Sequence, residues 1–179
     1  MRQAAVVLPD GSEPTAQGPE VHTSTSQGAS LLRRPSDRYG PASRDKVTNP
    51  QQLASELAEA FRAHCPQIRH GLVAAPSGAE ALTAVGRAGP CNHESATAKL
   101  SAVVRGWEHR FGARVVTVGL STLHLGIATP PGSEHEALLV AAEHLAFCPD
   151  TIRQSSRPYT PAAYAERIAG AHRWDFWWD

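Results

Sequence analysis

The densest set of reactive side chains in this chain is Glu143, His144, Cys148 and Asp150, in "EHLAFCPD". His144 and Cys148 are four residues apart, so a helix presents them on one face, as helical metal ligands are presented. A zinc site there needs a third or fourth ligand, for which His93, His109, His124 and Cys91 are the available donors. A thiol beside an imidazole is also the pairing of a cysteine nucleophile with its base. A structural reading competes with both. Cys148 continues the spacing of Leu138, Ala141 and Leu145, and free cysteine is among the most buried residue types. "CPD" is then a helix stop, and this is the simpler reading.

Three further places carry polar or aromatic groups of interest. Asn92 and His93 sit in a turn, "GPCNHESA", before a long helix. Asn92 or Ser95 can cap that helix, and a helix N-terminus can also hold an anion. His124 points away from the Leu123, Leu125 and Ile127 side of its strand, onto a solvated sheet face or into a groove beside Gly126. Trp177 falls on the polar side of the last strand, either open to a partner or covered by the N-terminal segment or Tyr159. GxGxxG, a Walker loop, HExxH and GxSxG are all absent from the sequence, and no cofactor is expected.

Residues 1–47 are rich in Gly, Ser, Thr, Pro and Gln, with sparse apolar residues and no period. Such a segment buries too little surface to offset its ordering entropy, so it is expected to be disordered or loosely attached. A single domain is expected over 48–179. Asn49 is an N-cap with Pro50 in the first helical position. Leu53, Leu57 and Phe61, extended by Cys65, form one helical face. Leu72–Ala75 reads as a short buried strand. Ser77 with Glu80 is a capping box for a short helix. Leu100, Val103, Val104, Trp107 and Phe111 make a full helical stripe, closed by Gly112 as a left-handed cap. "ARVVTVG" and "TLHLGIA" read as a hairpin joined through "GLST". Ser133 with Glu136 starts the next helix, whose inner face is read as Leu138, Ala141, Leu145 and Cys148. A polar loop, "DTIRQSSRPY", precedes a last helix that begins at Thr160 and Pro161 and ends at Gly170.

The chain closes on "HRWDFWWD". Trp174, Phe176 and Trp178 alternate with Arg173, Asp175 and Trp177, a period of two with one wholly aromatic face. That face is stabilised only by packing, so the tail is expected to be an integral strand lying against Trp107 and Phe111.

Lys+Arg and Asp+Glu are both 17, so the formal net charge is zero. A nucleic-acid surface needs a basic excess, as does a polybasic membrane surface, and neither is expected. No apolar run approaches the roughly 18 residues of a membrane span. The three cysteines are far apart and odd in number, which fits reduced thiols in a cytoplasm.

Three blocks of the second half occur in a familiar order: "LSAVVRGWEHRFGARVVTVGLSTLHLGIATPP", "EALLVAAEHLAFCPD" and a terminal "FWWD". They resemble a bacterial family, domain of unknown function 4253, over about residues 71–179. The resemblance implies a small intracellular bacterial domain and no assigned reaction. After "FCPD" such sequences typically continue with Asn and a Gln-Gly pair; this chain has "TIRQSSRPY" instead.

These readings converge on an α+β domain, a small and mainly antiparallel sheet with helices packed on one face and the other face open to a partner. The functional expectation is a non-catalytic protein-interaction or accessory module, immunity-like, with an unidentified protein partner. The alternative is a metal-assisted or thiol-dependent enzyme centred on His144, Cys148 and Asp150.

Overall fold

Residues 5–7, 49–85, 96–155 and 157–178 are described in a computed structural model of the chain. Their elements run β1 (Ala5–Val7), α1 (Pro50–His64), β2 (His70–Leu72), α2 (Gly78–Ala84), α3 (Thr97–Phe111), β3 (Ala113–Val118), β4 (Thr122–Ile127), α4 (Glu134–Phe147), α5 (Pro149–Arg153), α6 (Pro161–Ile168) and β5 (Arg173–Trp177).

Four helices start where a short polar side chain satisfies an otherwise unpaired N–H. Asn49 accepts from the N–H groups of Gln51 and Gln52 at 2.9 and 3.3 Å. Ser77, Ser133 and Thr160 accept from Glu80, Glu136 and Ala163 at 3.4, 3.2 and 3.2 Å. α3 stops at Gly112, whose φ of 58° is left-handed. A Cβ there would lie 3.0 Å from the Cβ of Ala128 and 3.2 Å from Cγ of Pro50, so conformation and space both call for glycine.

β3, β4 and β5 form an antiparallel sheet in that order, and β1 pairs with β2 in a separate two-stranded ribbon. β3 and β4 are joined through Gly119, whose N–H donates to the carbonyl of Thr122 at 2.9 Å. Val115 is opposite Leu125 and Thr117 opposite His124, so Val116 is an extra residue in the ladder. This bulge lets both Val115 and Val118 join the main apolar cluster. β5 pairs with β4 along its length, Trp174 opposite Leu125 and Phe176 opposite Leu123.

Alternation along β5 puts Trp174, Phe176 and Trp178 in the core, each 1% exposed. Trp107 stacks on Phe176 with ring centres 5.4 Å apart, and meets Trp174 edge-on at 5.6 Å. Phe111 meets Trp174 at 5.3 Å. Burying one such ring contributes about 4–6 kcal/mol of gross transfer free energy. The C-terminal strand is therefore an integral edge strand of the sheet, held by its buried aromatic face.

The α+β class, the antiparallel sheet and the integral terminal strand agree with the sequence reading. The helices are placed more broadly than it expected. α3, α4 and α6 supply the aromatic rings packed on one face and α2 adds Ala79, Ala81 and Leu82 to the same core, while α1 crosses the other face. A Cβ built on Gly126 would sit 3.0 Å from Cδ1 of Leu57 and 3.6 Å from Cα of Ala54, and the Phe61 ring lies 5.1 Å from that of His124. The second face is thus covered here, because Gly126 leaves room for a helix to approach.

Other boundaries shift. The short strand is His70–Leu72 rather than Leu72–Ala75, and Leu72 is 88% exposed; Ala75 is the buried member of that stretch. The inner face of α4 runs Ala137, Val140, Ala141, His144 and Phe147, with Leu138 exposed. Of the expected face, Ala141 and Cys148 are buried and Leu145 packs against the core at its edge, while the aromatic core takes the flat His144 ring at its centre. Part of the "polar loop" is helix α5, begun by Pro149. Of the N-terminal segment, only the β1 residues are described; the rest of that expectation lies outside the described residues, as do Cys91, Asn92, His93 and Ser95.

Candidate functional site

His144 is fully buried in α4. Trp174, Phe176, Trp107 and Tyr164 enclose it, with ring centres at 4.5, 4.8, 4.9 and 5.6 Å. Burial in this apolar box lowers its pKa to about 3, so the ring is neutral. Its Nδ1 is 2.9 Å from the Tyr164 hydroxyl. Burial holds the Tyr164 pKa above its usual range, with Asp175 adding to the shift, and the phenol keeps its proton. Donation from Tyr164 to Nδ1 leaves one unmatched group, the N–H at Nε2, which has no partner among the described residues. The opposite tautomer would leave two, so the first is favoured, with the Nε2 proton set against aromatic rings.

Cys148 caps α4 and is also buried. Its thiol donates to the Trp177 carbonyl at 2.9 Å and accepts from the Thr151 hydroxyl at 3.1 Å. The Trp177 N–H in turn donates to Thr151 Oγ1 at 3.3 Å. The three groups form a closed ring that ties the outer edge of β5 to the α4–α5 junction. Burial pushes the Cys148 thiol up, against the hydrogen bonds that lower it, and the nearby Asp150 charge adds to the rise. A protonated thiol is a poor nucleophile and a poor metal ligand. Asp150 lies buried in the first turn of α5. Glu143 turns elsewhere, accepting from Trp107 Nε1 at 2.8 Å and from Arg110 at 2.8 and 2.9 Å.

His144 and Cys148 therefore share α4 yet engage different partners. Among the described residues, no group of three His, Cys, Asp or Glu side chains is arranged to hold a metal ion. His109 is exposed on α3.

The structure assembles another cluster, on the second face of the sheet. His124 Nδ1 is 2.6 Å from Asp175 Oδ1, and Arg173 Nε donates to the same oxygen at 2.7 Å. Burial alone would raise the Asp175 pKa; the hydrogen bond and charge of His124, with the Arg173 guanidinium, outweigh it and hold the carboxyl below its ordinary value. The Asp175 carboxylate on Nδ1 calls for a proton at that ring nitrogen of His124. A cleft of about 10 Å³ beside it is lined by Leu57, Phe61, Val116, His124, Leu125 and Arg173, room for about one water. Asp175 and Arg173 were legible only as a polar strand face, because their partner on β4 is distant in sequence.

Trp177 is half-buried opposite Thr122. Its backbone is held by Cys148 and Thr151, while Tyr159 is exposed.

Fold and site together define a small α+β domain whose reactive side chains are built into an aromatic core, with a charged cluster behind the sheet. The chain belongs to the family described as Domain of unknown function (DUF4253), which matches residues 69–179. Searches of the curated proteins and of the solved structures return no match. Among the described residues, no helix is long and apolar enough to cross a membrane.

Proposed function

We propose that this chain is a non-catalytic protein-interaction or accessory module, immunity-like, working in a bacterial cytoplasm. One observation carries the reading: the side chains best suited to chemistry are engaged as structure. His144 is a neutral ring in an aromatic box, and the Cys148 thiol closes a hydrogen-bonded ring with Thr151 and Trp177. Both depart from what a thiol or metal enzyme centred on His144, Cys148 and Asp150 requires, namely a reachable thiolate or an imidazole with a free lone pair.

Two measurements test the reading. In folded protein carrying Cys91→Ser, a small disulfide reagent is expected to leave Cys148 unmodified until the chain is denatured; rapid stoichiometric labelling of folded Cys148 would restore the thiol reading. Affinity capture from host lysate by wild type and by Trp177→Ala is expected to differ in at least one retained protein. Identical captures would remove Trp177 from any interface.

A further inference from the structure

Among the described residues the order of the main sheet ends at β5. A strand in that place faces a hazard that a central strand escapes. Its bonds to β4 come from alternate residues. The His172 carbonyl accepts from the Ile127 N–H at 2.9 Å, and the Trp178 N–H donates to the Ser121 carbonyl at 3.0 Å. In an antiparallel ladder of that phase, the N–H and C=O groups of Arg173, Asp175 and Trp177 point away from β4. A row of outward groups on an aromatic-rich strand is a template for pairing with a second copy of the chain.

Two devices stand along this row. Toward its start, Arg173 and Asp175 put charged side chains on the strand, Nε to Oδ1 at 2.7 Å. An incoming strand would have to desolvate them, which is a common defence of sheet edges. Toward its end that defence is missing, because residue 177 is a half-buried tryptophan. There the α4–α5 junction supplies what a neighbouring strand would. Thr151 Oγ1 accepts from the Trp177 N–H at 3.3 Å, and the Cys148 thiol donates to the Trp177 carbonyl at 2.9 Å. One acceptor and one donor thus meet both outward groups of a single residue, as a hydrogen-bonded antiparallel partner does. The bond from Thr151 to Cys148 at 3.1 Å fixes the two side chains relative to each other. Pro149 in the first position of α5 breaks the helix at Cys148, and buried Ile152 anchors the five-residue α5 beside the strand.

We infer that Cys148 and Thr151 form a guard on the outer edge of β5, two side chains that stand in for a neighbouring strand at Trp177 and keep the edge from pairing with a second copy of this chain. Cys148 thereby has a role that needs a protonated thiol and no substrate. The inference goes beyond the interaction-module reading and does not depend on it.

The test compares full-length wild type with Cys148→Ala/Thr151→Ala by sedimentation velocity over a concentration series, with amide exchange read residue by residue. The double variant is expected to self-associate at least about tenfold more tightly than wild type, corresponding to roughly two net hydrogen bonds across the opened edge. Its outward Arg173 and Asp175 amides are expected to gain protection as concentration rises, which a general loosening of the fold would not produce. Thr151→Ser, which keeps the hydroxyl, is expected to match wild type. Three results would overturn the inference: a double variant that keeps its near-UV aromatic spectrum and associates no more than wild type; association without added protection at Arg173 and Asp175; or loss of that spectrum at every concentration, which would make the pair a support of the fold and not a guard.

Discussion

The two faces of β5 are built from alternate residues of one strand, and they are stabilised in different ways. Trp174, Phe176 and Trp178 meet Trp107, Phe111, Phe147 and His144 in a closed aromatic layer. Arg173 and Asp175 meet His124 beneath α1. The first face depends on area removed from water, which is large and non-directional. The second depends on charge-assisted hydrogen bonds at part-exposed groups, where water competes and the net contribution is small. One strand is thus stabilised by apolar area on one side and by polar pairing on the other.

If that division holds, damage to the aromatic face should be far the more serious. Deleting residues 174–179 is expected to abolish cooperative thermal unfolding, and Trp174→Ala to cost about 3–5 kcal/mol in urea denaturation. A truncated chain with a native-like transition would show that the layer does not hold the domain together.

Acid should act next, and through the same face. His144 has a folded pKa of about 3 against an ordinary 6.5. A depressed histidine contributes its full stability above 6.5. As pH falls toward 3 the unfolded chain takes up a proton that the folded chain does not, and stability drops by about 1.4 kcal/mol per pH unit. The urea midpoint is expected to fall steeply between those limits, and His144→Phe to flatten the fall. Parallel profiles for the two proteins would assign the acid sensitivity to other groups.

The smallest effect is expected on the second face. Asp175→Asn should cost about 1 kcal/mol, since the pair is partly exposed, and leave the near-UV spectrum of the tryptophans unchanged. A loss approaching that of Trp174→Ala would mean that the two faces are coupled.

Much of the fold was legible because its signals are local. Asn49, Ser77, Ser133 and Thr160 cap helices through groups two or three residues away. Gly112 ends α3 for a conformational reason that glycine alone meets easily. The candidate site was less legible. Leu138 reads as part of the inner face of α4, since a histidine scores as polar; the observed face exposes Leu138, keeps Leu145 at its edge and buries His144, whose polarity is met by Tyr164 from α6. His124 was visible as a residue on the far side of its strand, but the Asp175 that orients it is 51 residues away.

By itself, then, the sequence determined the order of most elements, the hairpin, and which residues of the terminal strand face inward, because backbone geometry and hydrophobic period act over a few residues. Only the tertiary structure decided what those elements meet. Cys148 and Thr151 hold the edge of β5 at Trp177, His144 sits among aromatic rings, and α1 comes down on Gly126 beside His124 and Asp175. These partners come from distant parts of the chain. Their pairing is set by which surfaces fit once the sheet has formed, and no local pattern in the sequence encodes that fit.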